Sequence, residues 1–180
     1  WLVASVMASL VYGWDIKSRG ISDSIATLTG IVYVVLFPYF IVLIDASRYK
    51  HLTLLVLIAA FGADIMAYFS GMAFGKHKMA PNLSPKKTIE GAIGGLAGAS
   101  IFSALFGYFV MDIVVQCAII GVLGGAVSMA GDLTASAFKR QMGIKDYGKI
   151  IPGHGGILDR FDSVLFVAPF VYYFSVFFIH

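Results

Sequence analysis

The stretch G-D-L-T-A-S-A-F-K-R-Q-M-G-I-K-D-Y-G-K-I-I-P-G-H-G-G-I-L-D-R-F-D, residues 131–162, sets the reading of the whole chain. It places four carboxylates, Asp132, Asp146, Asp159 and Asp162, among the bases Lys139, Arg140, Lys145, Lys149 and Arg160, with His154 bracketed by Gly153, Gly155 and Gly156. Long hydrophobic runs lie on both sides. Acids suit a hard divalent cation, bases suit phosphates, and the glycines let the backbone fold tightly. The stretch therefore reads as the polar face of an enzyme embedded in a membrane and acting on a phosphorylated substrate.

Composition supports the embedding. Of 180 residues, 59% are hydrophobic and 13% charged, and the mean hydropathy is +0.87. Soluble domains carry roughly 25% charged residues, so this chain cannot cover a water-facing surface. The net charge is +3, which in a membrane protein reports basic loops beside anionic lipid. The bases alternate with apolar runs and form no stripe, which argues against a nucleic-acid partner. Cys117 is the only cysteine, lies in an apolar run and reads as packing.

Outward from the central stretch, the chain divides into spans. Residues 25–44, 52–74, 89–111, 113–133 and 161–179 are each about long enough to cross a bilayer. Residues 1–14 read as the tail of a truncated helix ending at the interfacial aromatics Tyr12 and Trp14, not as a signal peptide. Pro38 predicts a kink in the first full span; Pro169 lies in the last. Asp112 marks a tight turn. Residues 15–23, 45–51, 75–88 and 134–160 are expected loops, and residues 135–142 of the last could continue the preceding helix. The expected fold is an all-α integral membrane protein of about five transmembrane helices plus a partial N-terminal one. Residues 1–180 form one transmembrane domain.

Gly91, Gly94, Gly95 and Gly98, and Gly121 with Gly125, give small-xxx-small pairs that predict close packing of the 89–111 and 113–133 spans, and glycine faces compatible with a homodimer. If spans alternate, eleven Lys and Arg residues in the 15–24, 75–90 and 134–160 segments face Arg48 and Lys50 on the other side. That asymmetry puts the chemistry-rich loops in the cytoplasm.

Carboxylates at the ends of apolar spans are costly and usually functional. Asp132 and Asp159 read as ligands of a magnesium ion, with or without a second cation; Asp146 and Asp162 read rather as partners of bases. Asp64, inside the second span, joins the same polar cavity or pairs with a lysine. His154, in a glycine turn whose N–H groups can converge on an anion, is a candidate for phosphate binding or proton transfer. Ser84-Pro85-Lys86-Lys87-Thr88 precedes a helix start with Glu90 in its first turn, which suits a phosphate or lipid headgroups equally. No G-x-x-x-x-G-K-[ST] pattern is present. Together the residues fit magnesium-dependent phosphoryl or nucleotidyl transfer at the membrane face.

The 27 residues from Ser136 through Lys139-Arg140, Lys145-Asp146 and His154-Gly155-Gly156 to Asp159-Arg160-Phe161-Asp162 resemble the signature of the phosphatidate cytidylyltransferase (CDP-diglyceride synthase) family. Gly131-Asp132, Phe74-Gly75-Lys76, Ser84 to Thr88, Ala63-Asp64 and Ala67-Tyr68 extend the resemblance over residues 60–180. It implies a reaction of CTP with phosphatidic acid giving CDP-diacylglycerol and pyrophosphate, with magnesium, in the inner or plasma membrane of a bacterium. It implies Asp132 and Asp159 as the metal pair, with Lys139 and His154 catalytic. Substrate binding would fall to Asp64, Ser84, Lys86, Lys87, Ser136, Arg140, Lys145, Asp146, Gly155, Gly156, Arg160 and Asp162. Set against that family pattern, the sequence reads as lacking the usual N-terminal spans. Ala135 replaces a usual glutamate, Ile65 and Met66 a Thr-Gly pair, and Met72 a common arginine. A CTP-dependent lipid-alcohol kinase is the alternative within enzymes. An ion-coupled transporter or an inactive scaffold is the alternative outside them.

Overall fold

A computed structural model describes residues 2–12, 21–148 and 155–179. Helix α1 covers Leu2–Tyr12. The next span is built of α2 (Ile21–Gly30), a π-helical turn at Ile31–Leu36, and α3 (Phe37–Asp45). Helix α4 runs Leu52–Phe74, α5 Ile89–Phe106 with a π-helical end at Gly107–Met111, α6 Val114–Gln141 and α7 Leu158–Phe178. Five of these segments are long and apolar enough to cross a membrane. Side chains such as Val34, Tyr68, Phe69, Phe109 and Val115 stand at least half exposed around them, as lipid-facing residues do. The protein is an integral membrane protein of the all-α class.

Local chemistry explains the boundaries. Pro38 sits in the first turn of α3. It has no N–H to donate and its ring crowds the carbonyl one turn back; the wide turn at Ile31–Leu36, immediately before it, absorbs that mismatch. The expected loop at 15–23 ends earlier, because α2 already contains Asp23 in its first turn, where an acid meets the positive helix end. Asp112 turns the chain between α5 and α6 in the left-handed conformation, φ 55°, which aspartate tolerates better than most side chains.

Two expected loops hold structure. Residues 75–88 form an antiparallel hairpin, β1 (Lys78–Ala80) with β2 (Ser84–Thr88), pairing Lys78 with Thr88 and Ala80 with Ser84. Residues 134–141 continue α6, so the loop expected at 134–160 shrinks and Asp132 lies well inside a 28-residue helix. At its other end α7 starts at Leu158, which brings Asp159 into the first turn.

Packing separates an apolar end from a polar one. Ile44, Leu52, Leu55, Val56, Ile120, Val164, Val167 and Val171 are fully buried. Most lie toward the start of α4, the start of α6 and the end of α7, which share one side. The opposite side carries the hairpin and the acids. The glycine expectation is corrected in part. Gly121 and Gly125 do bring α6 against α5, at Ala99. Gly91 and Gly95, however, face α4: a Cβ at either would lie 2.7 Å from the carbonyl of Ala67 or Ala63. Gly94 and Gly98 likewise meet Ser70 and Met66 of α4.

Candidate active site

Helices α4, α6 and α7 each turn acids toward one cavity of about 450 Å³, whose walls include Asp64, Asp132, Lys139, Asp146, Asp159, Arg160 and Asp162. Asp132 and Lys139 are seven residues apart, two turns along one face of α6. The Asp159 side chain is 3% exposed. It accepts from Lys139 Nζ at 2.8 Å and from the backbone N–H groups of Tyr147 and Gly156 at 2.8 and 2.9 Å. One carboxylate thus gathers the end of α6, the loop after it and the start of α7. Gly155 has φ 84°, a conformation that needs glycine. A Cβ at Gly156 would lie 2.9 Å from the Gly148 nitrogen, so the close approach of these two residues leaves no room for a side chain there.

Tyr147 completes the closure. Its hydroxyl donates to the Ala135 carbonyl at 3.2 Å, and Lys139 Nζ lies 5.2 Å from its ring centroid. Burial, then the charges of Asp159 and Asp162, push the Tyr147 phenol above its ordinary value, which keeps it a donor.

Asp162 is buried and accepts from the Ser163 N–H at 2.8 Å. Ser163 Oγ donates to Asp64 Oδ2 at 3.0 Å, across 99 residues of sequence, and lies 3.4 Å from Asp162 Oδ1. Ser163 therefore ties Asp64 to Asp162. Among the described residues neither Asp162 nor Asp146 forms an ion pair; the bases expected beside them are engaged elsewhere or exposed.

A second cavity of about 380 Å³ opens between α4, the hairpin and α5. Ala67, Tyr68, Met72, Met79 and Met129 make it largely apolar, while Ser84, Lys86, Lys87 and Thr88 line its hairpin wall. Lys87 pairs with Asp132, each side chain 25% exposed. Asp64 and Asp132 belong to both cavities. Thr88 caps α5, its Oγ1 accepting from the Gly91 N–H at 3.1 Å, so the capping is supplied by the chain itself.

The structure thus brings together Asp64, Asp132, Lys139, Asp146, Asp159, Arg160 and Asp162, with Ser84, Lys86 and Lys87 next door. Ser136 Oγ lies 3.5 Å from Asp132 Oδ1, and Gly155 and Gly156 abut Asp159. Arg140 and Lys145 line neither cavity: both are exposed, and Arg140 donates to the Ile144 carbonyl at 3.4 Å. Arg140 follows Lys139, which turns it about 100° round the helix. His154 and Lys149 lie outside the described residues. Ser163 and Tyr147 carry site geometry that sequence reading did not single out. Thr88, a threonine just before an apolar run, gave the one usable signal.

For a cation, the donor set is of the right kind but incomplete. Among the described residues, no three His, Cys, Asp or Glu side chains converge closely enough to hold one, and Asp132 and Asp159 each carry a lysine. Magnesium typically takes one or two carboxylates and completes its shell with water and substrate phosphates, which is the share these walls can give.

The Cytidylyltransferase family matches residues 1–178 of the chain. A phosphatidate cytidylyltransferase of Haemophilus influenzae is 47% identical over 132 residues, 70% of this chain and 46% of that protein. One of Bacillus subtilis is 37% identical over 180 residues, 94% of this chain and 65% of that protein. One of Thermotoga maritima is 36% identical over 177 residues, again 94% and 65%. The chain spans roughly half to two thirds of the length of these relatives. Matched nearly end to end and carrying its acids on adjacent bilayer helices, the chain belongs to the cytidylyltransferase family.

Proposed function

We propose that this chain supplies the reaction centre of a phosphatidate cytidylyltransferase, joining CTP to phosphatidic acid and releasing pyrophosphate. The observation that carries the reading is the adjoining of two cavities, one acidic and one apolar with lysines at its rim, sharing Asp64 and Asp132. The acidic one suits a cation and a triphosphate. The apolar one suits a lipid whose phosphate meets Lys86 and Lys87.

Depth agrees with this. Helix α6 has 28 residues, about 42 Å, against about 30 Å of hydrocarbon. Asp132 is about 27 Å from its start, near the level of lipid phosphates. A phosphatidate oxygen can therefore reach the site without its chains leaving the bilayer. The excess of basic residues on this side supports a cytoplasmic face, where CTP is found, and the bacterial origin of the relatives supports an inner or plasma membrane of a bacterium.

In the reaction, a phosphatidate oxygen forms a bond to the α-phosphorus of CTP while the bond from that phosphorus to the pyrophosphate oxygen breaks. Asp132 and Asp159 would hold magnesium, with or without a second cation; bound there, it neutralises charge on the phosphates. Lys87 and Lys139, each seated on one of these acids, are placed to shift onto phosphate oxygens. Asp162 and Asp64, joined by Ser163, fix the third wall. The described glycine faces of α5 and α6 are filled within the chain, so a homodimer would use another surface.

The test supplies purified protein in detergent with labelled CTP, phosphatidic acid and magnesium. Formation of a CDP-lipid and pyrophosphate, lost on chelation and restored by magnesium, is the expected result. Phosphorylation of a lipid alcohol instead, or turnover indifferent to chelator, refutes it.

A further inference from the structure

The hairpin that carries Ser84, Lys86 and Lys87 cannot hold its own place. Its strands have three and five residues, and their register shifts between Lys78 and Ala80. An isolated two-stranded ribbon is marginal at best. Its base, however, is fastened. The Gly75 N–H donates to the Gly71 carbonyl at 3.0 Å, ending α4. The Ile89 N–H donates to the His77 carbonyl at 2.9 Å. Glu90, in the first turn of α5, then accepts the Lys76 N–H at 3.1 Å and the His77 N–H at 3.2 Å, and its Oε1 lies 2.6 Å from His77 Nδ1.

One carboxylate on a rigid helix thus takes three donors from the strand that enters the hairpin. Glu90 lines neither cavity. The His77 side chain is 75% exposed, and exposed ion pairs do little for global stability. What the contact does fix is where residues 76–88 stand relative to α5, and hence where Lys87 meets Asp132 on α6.

We infer that Glu90, with His77, is a positioning residue that sets the hairpin so that Lys87 reaches Asp132 and the cavity they share. Its kinetic consequence rests on the cytidylyltransferase reading; its geometric consequence does not. A displacement of about 1 Å at a reacting centre can cost about a hundredfold in rate. Glu90→Ala should therefore lower kcat/KM for CDP-lipid formation by about tenfold or more, mainly through KM, because Lys87 is a binding group. Glu90→Gln keeps an oxygen for the two backbone donors and should recover most of the loss.

The decisive measurement is a double-mutant cycle with amine labelling. If Glu90 acts through Lys87, Glu90→Ala has no further effect in a Lys87→Met background. Equal losses in both backgrounds overturn the inference. Independently, a water-soluble amine reagent read by mass spectrometry should modify Lys87 several-fold faster in Glu90→Ala than in wild type; an unchanged rate overturns it. Where wild type forms no CDP-lipid but Lys87 labelling still rises in Glu90→Ala, the functional reading fails and the positioning role stands. Where Glu90→Ala does not fold, His77→Ala, which removes one ring contact from an exposed side chain, replaces it in both measurements with a smaller effect of the same sign.

Discussion

Replacing Lys139 with methionine tests whether the Asp159 junction holds the polar end together. Both side chains are enclosed, at 12% and 3% exposure, and their atoms are 2.8 Å apart. Breaking a buried ion pair from one side costs about 3–5 kcal/mol, because the remaining charge is left uncompensated. Here Asp159 keeps the Tyr147 and Gly156 N–H donors, and methionine can still cover the Tyr147 ring. The loss should thus fall nearer the value of one charge-assisted hydrogen bond, about 2–3 kcal/mol. For a chain of this size that is a drop of about 5–10 °C in melting temperature, read by thermal unfolding in detergent. Adding Asp159→Asn removes the stranded charge and should recover part of the drop. A Lys139→Met protein melting within about a degree of wild type, or a double variant no better than the single, refutes the reasoning.

Asp132→Asn should abolish CDP-lipid formation while leaving the melting temperature nearly unchanged, since this side chain is a quarter exposed and its ion pair is with Lys87, itself a quarter exposed; near-normal turnover at saturating magnesium rules out its metal role. Gly91→Ala should destabilise by about 1–3 kcal/mol, because the added carbon is driven against the Ala67 carbonyl of α4; unfolding in detergent measures it. Tyr33→Phe should be neutral or stabilising by about 1 kcal/mol, since the buried Tyr33 hydroxyl has no hydrogen-bond partner among the described residues; a clear loss of stability would mean that the hydroxyl is bonded.

Span number and order were legible because runs of about 20 apolar residues have few other uses. The end of α6 was legible as an option, residues 135–142 being able to continue the helix, and the structure carries it to Gln141. Ala135, Ser136, Lys139, Arg140 and Gln141 are polar or small enough to resemble a loop, yet they form good helix, and only tertiary packing on Asp159 and Tyr147 decides. Glycine spacing announced the contact of α5 with α6, which Gly121 and Gly125 make, but not that Gly91 and Gly95 would turn to α4, where Ala67 and Ala63 leave room. The acids stood out because charge is rare in an apolar chain. Their partners did not, since Lys87 to Asp132 and Ser163 to Asp64 are contacts between distant segments. The hairpin was hidden by Pro85 and its lysines, which carry no strand signal.

Asp64 and Asp132 stand as a party wall between the two chambers. Whatever charge arrives on one side changes the potential on the other. Occupants of the two chambers are therefore thermodynamically linked: if the first tightens the second by some factor, the second must tighten the first by the same factor. Titrating each substrate at fixed levels of the other would reveal that reciprocity directly.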